Sequence, residues 1–342
     1  MAIAFRFVQF GFLCFLSADF AVKAEEETNS SLLASIDALN NGTESLVDAG
    51  SRYNTEVAVR LAYLATAAYC PNIANWRCGT ACERSGRTTE VRVATSSFLA
   101  AKSIVGKQAD NSCFVLFRGT SNMAGARADL GSVAMSVKPN CYAGGLACRV
   151  SATFLMEYEK TVGPIRDSLA ALGCRGLPID ITGHSLGGAM SVLAAFDLSK
   201  EGYNLRNVYT FGAPRVGDMT FHVAVRETVH VPIYRVTRSD DPIPLLPWRT
   251  TEFMHVGTEV YYIGPVHLGV RFCQDEDESC SLANQHRLTS LLLTCLNPNW
   301  CGHFKYMHDM KEGLMSGRDC SLHRRLEEEE ASADLDTTIL LP

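Results

Sequence analysis

The chain has 342 residues, of which 47% are hydrophobic and 20% charged, with a formal net charge of −6. That balance can bury a substantial core and excludes an intrinsically disordered chain. The excess of acids over bases leaves no basic field for nucleic acid, which is not an expected partner.

The first residues, MAIAFRFVQFGFLCFLSADFAVKA, carry one early basic residue, an apolar run from Phe7 to Leu16 and a small-residue cleavage pattern at Val22-Lys23-Ala24. This reads as a secretory signal over residues 1–24, the unbroken apolar run being shorter than the roughly 20 residues a membrane span requires. No later segment is long and apolar enough to span, and the expected location is extracellular. Residues 25–48 form a polar lead-in, with Asn29 and Asn41 in N-x-[ST] acceptor patterns. The catalytic domain is expected over 49–322. Residues 323–342 form an acidic tail holding the run Glu327 to Glu330, which favours solvation over packing.

Thirteen cysteines are present; Cys14 falls in the signal, and the even remainder argues for disulfides in a secreted chain. The close pairs 78/82, 141/148, 273/280 and 295/301 read as loop staples. Zinc would want matched C-x-x-C units, and none occurs, so no metal or other cofactor is expected.

Helical spacing predicts helices over NTEVAVRLAYLATAAY and ATFLMEYEKTVGPIRDSLAAL, the second weakened by Gly163-Pro164. Strand patterns fall on VRVATS, CFVLFRG, LPIDIT, NVYTFG, PIYRVTR and EVYYI. Strands alternating with helices imply an α/β fold with a mostly parallel sheet flanked by helices.

The sharpest signal is DITGHSLGGAMSVLAA, in which Gly183, Ser185 and Gly187 form G-x-S-x-G between a strand pattern and a helix pattern. Strand, tight turn and helix is the context that a nucleophile elbow needs, with the helix N-terminus aiming free amides at the serine. A serine hydroxyl requires a base, and the base an orienting acid, in chain order Ser, acid, His. After Ser185, RVTRSDDPIPLLP ends a strand in adjacent Asp240 and Asp241. His255, His267, His286, His303, His308 and His323 all come late enough, and spacing alone does not choose among them. The oxyanion donors fall on the Leu186 amide and on Thr120, at the end of the strand CFVLFRGT.

FVLFRGT, ITGHSLGGAMSVLAAFDL, VYTFGAPRVGD, RVTRSDDPIPLLP, EVYYIG and HFKYM together resemble the fungal-type class 3 lipases, a branch of the α/β-hydrolases, over about residues 54–310. The resemblance implies Ser185 as nucleophile, Asp241 as acid, His303 as base and Thr120 as oxyanion residue. It gives His255 no catalytic part and likens Cys70, Cys78 and Cys82 to cysteines near the start of the family's catalytic domain. It implies an ester or lipid substrate, at a lipid–water interface where the lid engages one. Triacylglycerol lipase leads; feruloyl esterase, phospholipase and a non-catalytic binding member are the alternatives. Two segments depart from the pattern. Val150 to Phe154 lacks the usual histidine and glycine, and SNMAGARADL, in the lid's place, has Met123 as its one sizeable apolar side chain.

Overall fold

The computed structural model describes residues 50, 52–95, 102–120, 130–248, 252–264, 269–297, 301–307 and 320. The signal, the lead-in, the acidic tail and the lid segment after Thr120 lie outside the described residues.

Eight strands make one sheet. They are β1 (Thr88–Thr95), β2 (Lys102–Gln108), β3 (Cys113–Phe117), β6 (Ile179–His184), β7 (Leu205–Phe211), β8 (Ile233–Arg238), β9 (Thr258–Tyr262) and β10 (Val270–Gln274), in that spatial order. The five from β3 to β9 run parallel, while β1, β2 and β10 add antiparallel edges. A separate hairpin pairs β4 (Met135–Ala143) with β5 (Leu146–Ser151). The sheet is therefore of the mostly parallel kind read from the sequence.

Helices cover both faces, and strand side chains sort between them with period two. Val115, Phe117, Ile179, Ile181 and Val208 join the core beneath α3 (Ala152–Ala171), α4 (Leu186–Lys200) and α5 (Met219–Thr228). Phe114, Leu116, Tyr209, Phe211 and Val236 join the core beneath α1 (Thr55–Ala67) and the short α2 (Gly79–Arg84). Residues of both parities are buried in the central strands, which is why these read as continuous apolar runs.

Local chemistry sets the helix starts. Asn54 caps α1 by accepting from the Val57 amide, Ser151 caps α3 through Phe154, and Asp218 caps α5 through Phe221. Pro164 lies inside α3, which continues past it. Phe154, Tyr158, Ile165 and Leu169 are buried along the helix, and their burial, worth about 1.5–3 kcal/mol each, outweighs the proline's cost of about 3 kcal/mol. Helix α4 is buried almost throughout, consistent with its small residues.

The twelve cysteines other than Cys14 all pair. The four short staples form as the spacings suggest: Cys78–Cys82, Cys141–Cys148, Cys273–Cys280 and Cys295–Cys301. Cys113–Cys174 and Cys70–Cys320 span 61 and 250 residues and were not legible from spacing. Among the described residues, no helix is long and apolar enough to cross a membrane.

Candidate active site

Strand β6 ends at His184 and α4 begins at Leu186, so Ser185 alone makes the turn, at φ 60° and ψ −129°. A side chain rarely adopts that conformation, and its persistence marks a turn overdetermined by its surroundings. The glycines show what crowds it. A Cβ at Gly183 would lie 2.3 Å from the Gly187 carbonyl oxygen, and one at Gly187 would lie 2.2 Å from that of Phe117. The spacing G-x-S-x-G is thus a packing requirement of the turn. The Ser185 amide is held by the Phe211 carbonyl at 2.9 Å, anchoring the turn to β7.

Beyond β8, the chain turns through Ser239 and Asp240 and presents Asp241, which is buried. One of its oxygens accepts the Ile243 amide at 2.8 Å, and the carboxylate receives the Nδ1–H of His303 at 3.1 and 2.9 Å from its two oxygens. His303 lies in a single 3-10 turn, Gly302–Phe304, and is fully buried. With Nδ1 committed as donor, the neutral ring carries its lone pair on Nε2, and that atom has no hydrogen-bond partner among the described residues. A buried imidazole held on one side and open on the other suits a group that takes a proton. Gly212, at φ +57°, leaves the space they fill: a Cβ there would stand 2.7 Å from Asp241 Oδ2 and 3.0 Å from the His303 ring.

The neighbouring acid is engaged elsewhere. Arg238 donates to Asp240 at 2.9 Å and to the Lys305 carbonyl at 2.9 Å, tying the turn before Asp241 to the segment after His303.

Strands β3 and β6 are paired in parallel with Phe117 opposite Gly183. Three residues further along each chain come Thr120 and Leu186, so the end of β3 runs beside the start of α4. Thr120 Oγ1 is buried without a hydrogen-bond partner among the described residues, and Leu186 supplies one of the amides that a helix start leaves unpaired.

The matching family model is "Lipase (class 3)", over residues 114–251. A lipase from Rhizopus niveus is 27% identical over 265 residues, 72% of this chain and 65% of its own length. A "secreted mono- and diacylglycerol lipase 1" from Fusarium solani is 35% identical over 119 residues, covering 34% of this chain and 35% of its own. Among solved structures, a triacylglyceride lipase from Rhizomucor miehei is 26% identical with a TM-score of 0.63, covering 77% of this chain and 96% of that one. The chain carries the class 3 lipase pattern over residues 114–251 and is similar in sequence and fold to the fungal lipases. Its sheet and helices are those of an α/β-hydrolase. The chain spans just under two thirds of the length of the Rhizopus niveus lipase it matches.

The candidate histidines that the structure describes differ in what surrounds them. His255 is buried and donates through Nε2 to the Pro244 carbonyl at 2.7 Å. Burial first, and then the nearby Arg235 charge, keep it well below the ordinary histidine range, so it is neutral. Beside it, Arg215 donates to the carbonyls of Leu245 and Pro247 and pairs with Glu276 at 2.8 Å. Together they hold the backbone that follows Asp241. His286 is exposed, and His267, His308 and His323 lie outside the described residues. Among the described residues, no group of three or more His, Cys, Asp or Glu is placed to hold a metal ion.

Tyr306 and His184 stand in the lipase motifs themselves, but their spacing says nothing of their contacts. The Tyr306 hydroxyl donates to Asp241 Oδ2 at 2.5 Å. His184 packs ring to ring on His303 at 4.3 Å between centroids. Only the tertiary structure reveals either contact.

Proposed function

We propose that the chain is a secreted serine carboxylic-ester hydrolase acting on acylglycerols, a triacylglycerol lipase, through Ser185, His303 and Asp241. The observation that carries this is the His303 ring: Nδ1 is bonded to a buried carboxylate and Nε2 is buried without a described partner, and the ring stacks on His184, the residue before a serine held at positive φ on an elbow.

In the reaction, His303 Nε2 takes the Ser185 proton as Oγ attacks the ester carbonyl, and Asp241 keeps the ring oriented and balances the imidazolium that forms. The carbonyl oxygen becomes an oxyanion, stabilised by the Leu186 amide and by the amide and hydroxyl of Thr120. His303 then returns the proton to the leaving alcohol, breaking the ester bond and leaving an acyl group on Ser185. Water, deprotonated by His303, attacks that acyl-enzyme and releases the acid, and the proton goes back to Ser185. Six disulfides support an oxidising, extracellular setting. The names of the Rhizomucor and Fusarium relatives support an acylglycerol substrate.

The test is a fluorophosphonate probe together with a triglyceride and a dissolved short-chain ester. Wild type should be labelled and hydrolyse both, and Ser185→Ala should do neither while melting as wild type does. Equal labelling of the two proteins would remove Ser185 as nucleophile.

A further inference from the structure

His184 is the last residue of β6, immediately before the nucleophile, and is 1% exposed. Its Nε2 lies 2.7 Å from the backbone carbonyl oxygen of His303, and its Nδ1 lies 3.0 Å from the Tyr69 hydroxyl. A carbonyl only accepts, so Nε2 carries the hydrogen. A neutral imidazole then has its lone pair on Nδ1, and the Tyr69 hydroxyl must donate to it. The Tyr69 oxygen in turn receives the Gly119 amide, from the residue before Thr120. The direction of every bond is forced, giving one chain: Gly119 N–H to Tyr69 oxygen, Tyr69 O–H to His184, His184 N–H to the His303 carbonyl.

We propose that His184 and Tyr69 are positioning residues, joining the oxyanion strand end, the nucleophile turn and the base's loop through this single chain of hydrogen bonds. The proposal rests on the hydrolase reading above. The base's loop needs such a tie because it is one 3-10 turn with no strand pairing of its own. A bond from residue 184 to residue 303 fixes the backbone of the base relative to that of the nucleophile one residue away. Misplacement of a catalytic group by even about 1 Å is costly in rate.

The ring has a second effect. The titratable groups that face it are His303, Tyr306 at 5.9 Å and Tyr69 at 6.0 Å between ring centroids, with Arg118 acting on Tyr69. Burial, and then the proximity of His303, hold the His184 imidazole neutral. The imidazolium that forms on His303 during attack therefore meets an uncharged neighbour. Tyr69 protects that state by occupying the lone pair that a proton would take.

Three variants test this. His184→Leu removes both bonds, and kcat should fall about tenfold or more, the scale of a lost buried hydrogen bond, with KM little changed. His184→Gln keeps an amide N–H within reach of the His303 carbonyl and should recover most of that loss. Tyr69→Phe frees Nδ1, so His184 takes a proton at a less acidic pH, and the acid limb of the kcat/KM profile should move to higher pH. A folded His184→Leu variant with kcat within about twofold of wild type would overturn the proposal, as would an unmoved acid limb in Tyr69→Phe. If His184→Leu fails to fold, the Tyr69→Phe profile decides. A wild type that takes no fluorophosphonate and cleaves no ester overturns the hydrolase reading itself; an active wild type with unaffected variants overturns this proposal alone.

Discussion

Tyr306 and His303 donate to the same buried carboxylate, the tyrosine through its hydroxyl to Asp241 Oδ2 at 2.5 Å and the histidine through Nδ1. Burial first, and then the adjacent Asp241 charge, hold the phenol well above its ordinary range, so it stays a donor throughout the working pH. Tyr306→Phe leaves the buried carboxylate short of one donor. We expect kcat to fall about tenfold with KM unchanged, since a hydrogen bond to a charged group is worth roughly 1.5–3 kcal/mol. Steady-state kinetics on a dissolved ester would measure it; unchanged kcat would reduce Tyr306 to packing.

The two acids and the two buried histidines should separate by their kinetics. His303→Ala and Asp241→Asn should each lower kcat by about four orders of magnitude, the scale of a lost triad member. Asp240→Asn should cost far less, because Asp240 bonds Arg238 and not the base. His255→Ala should act chiefly on stability, losing about 1–3 kcal/mol by leaving the Pro244 carbonyl without its donor. An inactive His255 variant beside an active His303 variant would reverse the roles.

Acid should unfold the protein in two stages. His184 and His255 are neutral in the fold, with pKa values depressed below the ordinary 6.5. Once unfolded they take up protons, so stability is full above about pH 6.5 and declines as the pH falls below it. Glu276 adds a lower stage. Burial alone would raise its carboxyl, but the His255 charge that develops in acid, the Arg215 guanidinium and the His255 amide outweigh burial and hold it at about 2, against 4.5 ordinarily. Its contribution, on the order of 3 kcal/mol, is present above pH 4.5 and lost as the pH falls towards 2. Denaturant midpoints measured against pH should show both stages, and Glu276→Gln should erase the lower one and deepen the upper one, because Glu276 favours the His255 charge. A midpoint that stays flat from pH 7 to 4 would contradict the buried-histidine account.

Two disulfides should differ in what they protect. Cys295–Cys301 closes a short loop two residues before His303, and Cys70–Cys320 spans 250 residues. The loop-entropy model gives about 2 kcal/mol for the short staple and about 5 kcal/mol for the long one. The paired Cys295→Ser and Cys301→Ser variant should therefore melt only slightly earlier but lose kcat several-fold as the base's loop loosens. The paired Cys70→Ser and Cys320→Ser variant should melt much earlier. If the first pair of changes leaves kcat intact, the staple has no part in placing the base.

Local residue order determined much of this protein. The elbow was legible because Gly183 and Gly187 are demanded by contacts within the turn and its neighbouring strand. The central strands were legible because strands buried on both faces must be apolar throughout. The four short disulfides were legible because close spacing brings their sulfurs together. Strand β2 was not, since KSIVGKQ mixes polar residues with a glycine whose place is explained only by the Phe114 ring packed on it, 2.2 Å from where a Cβ would stand. Nor were β4, β5 and β10, which lie in the side hairpin and at a sheet edge. The choice of base was left open by spacing and rested on family resemblance. Among the described histidines the fold shows differences that support the proposed choice, because a histidine's role depends on what each ring nitrogen meets. His255 Nε2 meets a carbonyl, His184 has both nitrogens engaged, and His303 has Nδ1 on a carboxylate with no described partner for Nε2. Those partners are 11, 115, 119 and 62 residues away, and only the closing of the sheet brings them within reach.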